Sequence, residues 1–122
     1  MATKTETAHA GECILSEANG TRSREAVTFA SGTPALISGE VVAIVTASGK
    51  YSTYDNGASD GTETAAGVLI EDVDASAADA TGVILRRDAE VIDSLLTYQS
   101  GQDAAAQDAA KADLVALGIL AR

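Results

Sequence analysis

Nowhere in this chain do apolar side chains run far without a break. The longest strongly apolar run, residues 41–45 (Val-Val-Ala-Ile-Val), is one strand long. It falls far short of the roughly 20 residues needed to cross a bilayer as a helix. On either side, Gly, Asp, Asn and Ser recur at short intervals. That punctuation confines most of the chain to brief strands joined by turns. Residues 26–29 form a first strand, followed by a turn at 31–34. The β-branched run 41–46 and residues 51–54 make the arms of a hairpin around Ala47, Ser48, Gly49 and Lys50. Residues 55–62 form an exposed loop, 67–70 a short buried strand and 72–82 an acidic connection. Residues 83–92 form a last strand, with a bulge or bend where Arg86, Arg87 and Asp88 break the alternation.

Only one stretch has helical character. Over residues 102–117, Ala105, Ala109, Ala112 and Ala116 recur at three- and four-residue steps. Ser100 and Asp103 stand near capping-box spacing, Asp103 and Asp108 place negative charge early, and Gly118 suits a stop. Such a narrow alanine face requires close packing against a sheet or a neighbouring subunit. The first 25 residues differ, holding only Met1, Ile14 and Leu15 as large apolar groups. They bury too little to offset their ordering entropy, and are expected as an extended arm or an ordinary frayed terminus. Within them Cys13, Ile14, Leu15 and Ser16 form a short strand in search of a sheet. The fold class is thus mixed and mainly β with a C-terminal α-helix. It comprises a small compact β-rich domain over residues 26–122 and an extended N-terminal arm over residues 1–25.

The core must be small and aliphatic. Alanine contributes 25 residues, as many as Val, Ile and Leu together, and the aromatics are Phe29, Tyr51, Tyr54 and Tyr98 alone. A chain so furnished gains stability by associating with copies of itself or a partner. Eight basic residues against 18 acidic give a net charge of −10. Nucleic acid and anionic membranes both need a basic footprint, so neither is expected as a partner. Cys13 is the only cysteine, which rules out an intrachain disulfide and fits synthesis in a reducing cytosol. The N-terminus has no apolar core of a secretory signal, and none is expected.

The chemical motifs fail one by one. Gly57, Ser59 and Gly61 match the spacing of a nucleophile elbow, but the flanks are loop-like and the single histidine, His9, lies upstream. The loop from Asp55 to Asp60 has carboxylates but not the ligand spacing of a calcium-binding loop. His9 and Cys13 cannot make a zinc site, which needs three or four protein ligands, nor a nucleophile–base pair on a flexible arm. Glu71, Asp72 and Asp74, and again Asp88, Glu90 and Asp93, form solvated acidic faces without an aromatic-lined cleft. No glycine loop for phosphate exists. No catalytic residue, metal site or cofactor is expected. Arg86 and Arg87 offset acidic charge locally or mark a subunit contact.

Several segments in order carry a resemblance. They are His9-Ala10-Gly11-Glu12, Ile14 through Gly20, Ser23-Arg24-Glu25 with Val27-Thr28, and Gly39-Glu40-Val41-Val42. Arg87 through Val91, Leu96-Thr97-Tyr98 and the closing Leu117 through Arg122 follow. Together they resemble bacteriophage and prophage head decoration proteins over nearly the whole chain. The resemblance implies a homotrimer seated at three-fold and quasi-three-fold positions on the outside of an expanded capsid. There it would stabilise the shell against packaged DNA after synthesis in the host cytoplasm. It implies the major coat protein as partner, with the arm adding a strand to a coat-protein sheet. Glu12, Cys13, Ile14, Leu15 and Ser16 would be the capsid-binding residues, Ile14 on one face of the strand and Cys13 and Leu15 on the other. Deleting residues 1–20 should then leave a folded body that no longer decorates. The rival reading is a β-rich carbohydrate- or ligand-binding module with Tyr51, Tyr54 and Tyr98 as its platform, unless those rings belong to the core or its rim.

Overall fold

In the computed structural model, residues 9–122 are described, and within them the chain makes eight strands and one α-helix. The strands are β1 (Ile14–Glu17), β2 (Arg24–Phe29), β3 (Val41–Ile44), β4 (Tyr51–Thr53), β5 (Ala65–Leu69), β6 (Ala80–Leu85), β7 (Ala89–Val91) and β8 (Ile119–Ala121). The helix α1 spans Ala104–Ala116. Five strands close into a barrel in the order β2-β4-β3-β5-β6, and the remaining three form a second sheet in the order β1-β7-β8. The fold is therefore mainly β with a single C-terminal helix.

The unbroken apolar runs have a simple cause. Successive side chains of a strand point to opposite faces, and β3, β5 and β6 are covered on both. Val42, Leu69 and Ile84 point into the barrel with Phe29, Leu36 and Tyr51. Their neighbours Val41, Val68 and Leu85 point outward, where they pack with Val91, Leu114 and Ile119. The helix and the second sheet thus cap the barrel wall. By contrast β2 alternates, with Val27 and Phe29 buried and Ala26 and Thr28 exposed. Its register with β6 is the longest in the barrel, running from Arg24 opposite Leu85 to Phe29 opposite Ala80. The seam with β4 is a single parallel pair, Phe29 opposite Tyr51.

The helix starts later than Ser100 would place it. Asp103 is the N-cap, extended at ψ −177°, and its carboxylate accepts from the Ala106 N–H at 2.9 Å. Gly118 stops the helix at φ +82°, a conformation that glycine adopts without penalty. The buried face is Ala106, Ala110 and Leu114, not the Ala105, Ala109, Ala112 and Ala116 stripe. Two polar contacts fix that phase. The Tyr54 hydroxyl donates to the Ala106 carbonyl at 2.9 Å, and Asp113 accepts from the Ala65 N–H at 2.9 Å.

Two strand boundaries also differ from the sequence expectation. The bend at residues 86–88 divides the expected 83–92 strand into β6 and β7, which belong to different sheets. Asp88, at φ +52°, carries the chain across. The segment read as an arm is built into the body from residue 11 onward. The Gly11 N–H donates to the Ile70 carbonyl at 2.7 Å, Cys13 is core, and Ser23 is fully buried with its hydroxyl on the Asp88 carbonyl at 2.8 Å. Long-range pairing with β7 supplies the ordering that the local composition lacks. Residues 1–8 of the expected arm lie outside the described residues.

Candidate functional site

The second sheet has edges, and one of them is made by the residues singled out in the sequence. β1 is the outermost strand of its sheet and pairs with β7 on its inner side alone. The register, Ile14 opposite Val91 and Ser16 opposite Glu90, contains a bulge between Ile14 and Ser16. A bulge inserts one extra residue and breaks the two-residue alternation. Leu15 is that residue. It is 52% exposed, whereas Cys13, expected on the same face, is 1% exposed. Cys13 and Leu15 therefore lie on opposite sides of the surface.

Each of the five residues has a definite place. Glu12 sits in the turn before β1 and accepts from the His9 N–H at 2.9 Å. Cys13 anchors the strand: its carbonyl accepts from the Ile92 N–H at 2.8 Å, and burial pushes its thiol pKa up, which keeps it an inert thiol. Ile14 packs half-buried on the outer core. Ser16 faces outward and donates to Glu90 at 2.8 Å. The Glu90 carboxyl is held below the usual range by the Ser16 hydroxyl and then by Arg122. Across the exposed face of the sheet run Ser16, Glu90 and Leu120, with Arg122 paired to Glu90. Arg24 clamps the end of β1 through Glu17 at 2.7 Å, which lowers the Glu17 pKa.

Arg86 and Arg87 are not equivalent. Arg87 is tied inside the chain, to Glu25 at 2.9 Å and to the Arg22 carbonyl at 2.9 Å. Arg86 donates to the Ala66 carbonyl at 3.2 Å and, among the described residues, has no carboxylate within ion-pair distance. It lies between two open grooves of about 510 and 660 Å³, which share Ile44 as well. None of the described hydrogen bonds joins either arginine to residues 12–16.

The tyrosine platform does not form. Tyr54 is fully buried, and Tyr51 is 5% exposed with its ring 6.1 Å from that of Phe29. Tyr98 is half-buried with its hydroxyl inside the protein. A core poor in large residues uses its rings for filling, which removes them from any sugar-stacking surface. Among the described residues no group of three or more His, Cys, Asp or Glu side chains is placed to hold a metal ion. Asp55, Asp60 and Asp74 accept instead from backbone N–H groups two residues on, as turn residues do.

Sequence reasoning missed the two residues that position this edge from behind. Gly39 takes φ +95°, and a Cβ there would collide with the Leu95 carbonyl oxygen. Glu40 is 7% exposed beside Thr97. The glycine preceding an apolar strand was visible, but its partner lies more than fifty residues away in sequence.

The described residues thus form a closed barrel carrying a second, open-edged sheet, with the Phe29, Tyr51 and Tyr54 rings inside. The sequence profile of bacteriophage lambda head decoration protein D matches residues 3–119. The chain belongs to this head decoration protein family and is accordingly a structural protein associated with the virion capsid. Among curated proteins no sequence matches it.

Proposed function

We propose that this protein binds the outer surface of the expanded capsid as homotrimers at three-fold and quasi-three-fold positions and stabilises the shell, without enzymatic activity. The observation that carries the reading is β1: an outermost strand whose outer edge has no strand partner among the described residues, with an exposed leucine beside it. Edge strands expose unpaired backbone donors and acceptors, a ready template for another chain. Addition of a coat-protein strand there gains affinity from main-chain hydrogen bonds and specificity from Leu15 and Ser16. Glu12 extends the contact. A single edge binds weakly after its ordering cost, and three copies on one trimer multiply the affinity through effective concentration. Arg86, the cation without an ion-pair partner among the described residues, is the subunit contact in this reading, while Arg87 serves its own chain.

The structure changes the truncation that tests this. A deletion through residue 20 would remove β1 and the core residue Cys13 along with any arm. Leu15→Asp alters only an exposed position and should shift stability by less than about 0.5 kcal/mol. Expanded capsids mixed with the wild-type protein should show trimeric protrusions at three-fold positions by electron microscopy. L15D should keep its fold and lose at least about tenfold in capsid affinity, as interface anchors do. Undiminished decoration by folded L15D would sink strand addition at β1.

A further inference from the structure

The joint between the barrel and the segment that follows β7 holds polar side chains without partners. Glu40 stands directly ahead of β3, and Thr97 runs parallel beside it in an isolated bridge. The Thr97 N–H donates to the Gly39 carbonyl at 2.9 Å, and the Val41 N–H to the Thr97 carbonyl at 3.0 Å. In this joint Glu40 Oε2, Thr97 Oγ1 and the Tyr98 hydroxyl are buried without a well-formed hydrogen bond to any described residue; the Thr97 hydroxyl stands beside the Glu40 carboxyl but is not aligned with it. Ser38 Oγ, two residues ahead of Glu40, is a fourth. Folded proteins leave few such atoms unpaired. An ionised carboxylate among them is far more costly to bury than a neutral one.

Among the described residues no ion pair compensates this carboxyl. Tyr98 lies close enough to sense Glu40, and Tyr54, Asp93 and Asp108 act in turn on Tyr98, whose hydroxyl burial first pushes up to about 12. Cys13 is the side chain that a Cβ at the neighbouring Gly39 would approach. All of these groups are neutral or negative. The cation nearest to them in the described contacts, Lys111, is engaged by Asp93 and Asp108. No described ion pair reaches Glu40.

We propose that Glu40 is a buried proton switch: its carboxyl is protonated in the folded protein, and its ionisation loosens the 93–98 segment from the barrel. The protonated acid gains an O–H donor, which the hydroxyls of Thr97 and Tyr98 can accept. Once ionised, it has only acceptors and no cation. Burial raises its pKa to about 7, against a smaller lowering by the Thr97 hydroxyl. Because the folded-state value stands above the ordinary 4.5, the folded protein holds this proton more tightly than the unfolded chain. Its stabilisation is complete below the ordinary value and disappears as pH rises through about 7. The switch lies close behind β1, since a Cβ at Gly39 would come within 3.9 Å of the Cys13 Cβ and the Ile92 N–H bonds the Cys13 carbonyl. Its effect on capsid attachment rests on the function proposed above; the switch itself does not.

Urea unfolding of the full chain tests it. Between about pH 5 and about pH 8.5 the wild-type folding constant should fall on the order of a hundredfold, and that of Glu40→Gln far less. Parallel pH profiles for wild type and E40Q would overturn the proposal. Carbon NMR of the Glu40 carboxyl in the wild-type protein follows the same proton directly, even when E40Q does not fold. A midpoint about 7 supports the switch, and one in the ordinary glutamate range refutes it. At about pH 8.5, the Thr97 amide should exchange with solvent faster in the wild type than in E40Q. Equal rates would refute the loosening. None of these readings involves a capsid, so a failure to decorate leaves them intact.

Discussion

The barrel and the three-stranded sheet are built from similar material and end differently. In the barrel every strand has a neighbour on each side, and Phe29, Leu69 and Ile84 fill the interior. In the second sheet β7 is, among the described residues, the only strand paired on both sides, and the outer face is held by Ser16, Glu90 and Arg122 rather than by apolar packing. Closure abolishes edges; an open sheet keeps two. The barrel pairs its own backbone groups around a closed ring, and the small sheet leaves edge groups that no described strand pairs.

The contrast breaks first if the barrel is emptied. Phe29→Ala removes a fully buried ring and should cost about 3–5 kcal/mol, read as a fall in the urea midpoint. A cost no greater than that of Leu15→Asp would mean that the barrel is not the stable half. Gly39→Ala probes the joint between the halves. It forces a side chain into φ +95° and against the Leu95 carbonyl, and should cost roughly 2 kcal/mol or more in the same assay. The smallest effect belongs to the sheet's own surface. Glu90 has a folded-state pKa below its ordinary value, so its stabilisation is present above the usual carboxylate range and lost as pH falls through the folded value. Wild type should be slightly more stable than Glu90→Gln near neutral pH, and the gap should close in acid. A gap that persists at low pH would assign the role of Glu90 to packing instead.

The barrel was the more legible half. Runs such as residues 41–45 and 67–70 announce buried strands, whereas the closed order β2-β4-β3-β5-β6 also needs pairings between strands distant in sequence. The helix was legible in extent but not in phase. With alanine at 104, 105, 106, 109, 110, 112 and 116, several stripes look alike, and the deciding contacts come from Tyr54 and Asp113. The candidate site was half legible. The strand character of residues 13–16 showed in the sequence, but its partner β7 did not, because Ser16 and Glu90 are separated by 74 positions. Polarity alone then read the segment as an arm. The tyrosines were left open between core and platform for a related reason: the burial of Tyr54 depends on a helix carbonyl 52 residues away.

The order β1-β7-β8 also has a kinetic consequence. Its outer strands come from opposite ends of the described chain, Ile14–Glu17 and Ile119–Ala121, and both lie on β7. Loop-closure entropy and high contact order place such a sheet late in folding, after the more local barrel pairings. A ribosome must therefore release nearly the whole chain before the three-stranded sheet acquires its final form. Incomplete copies would lack that sheet while already holding the barrel strands.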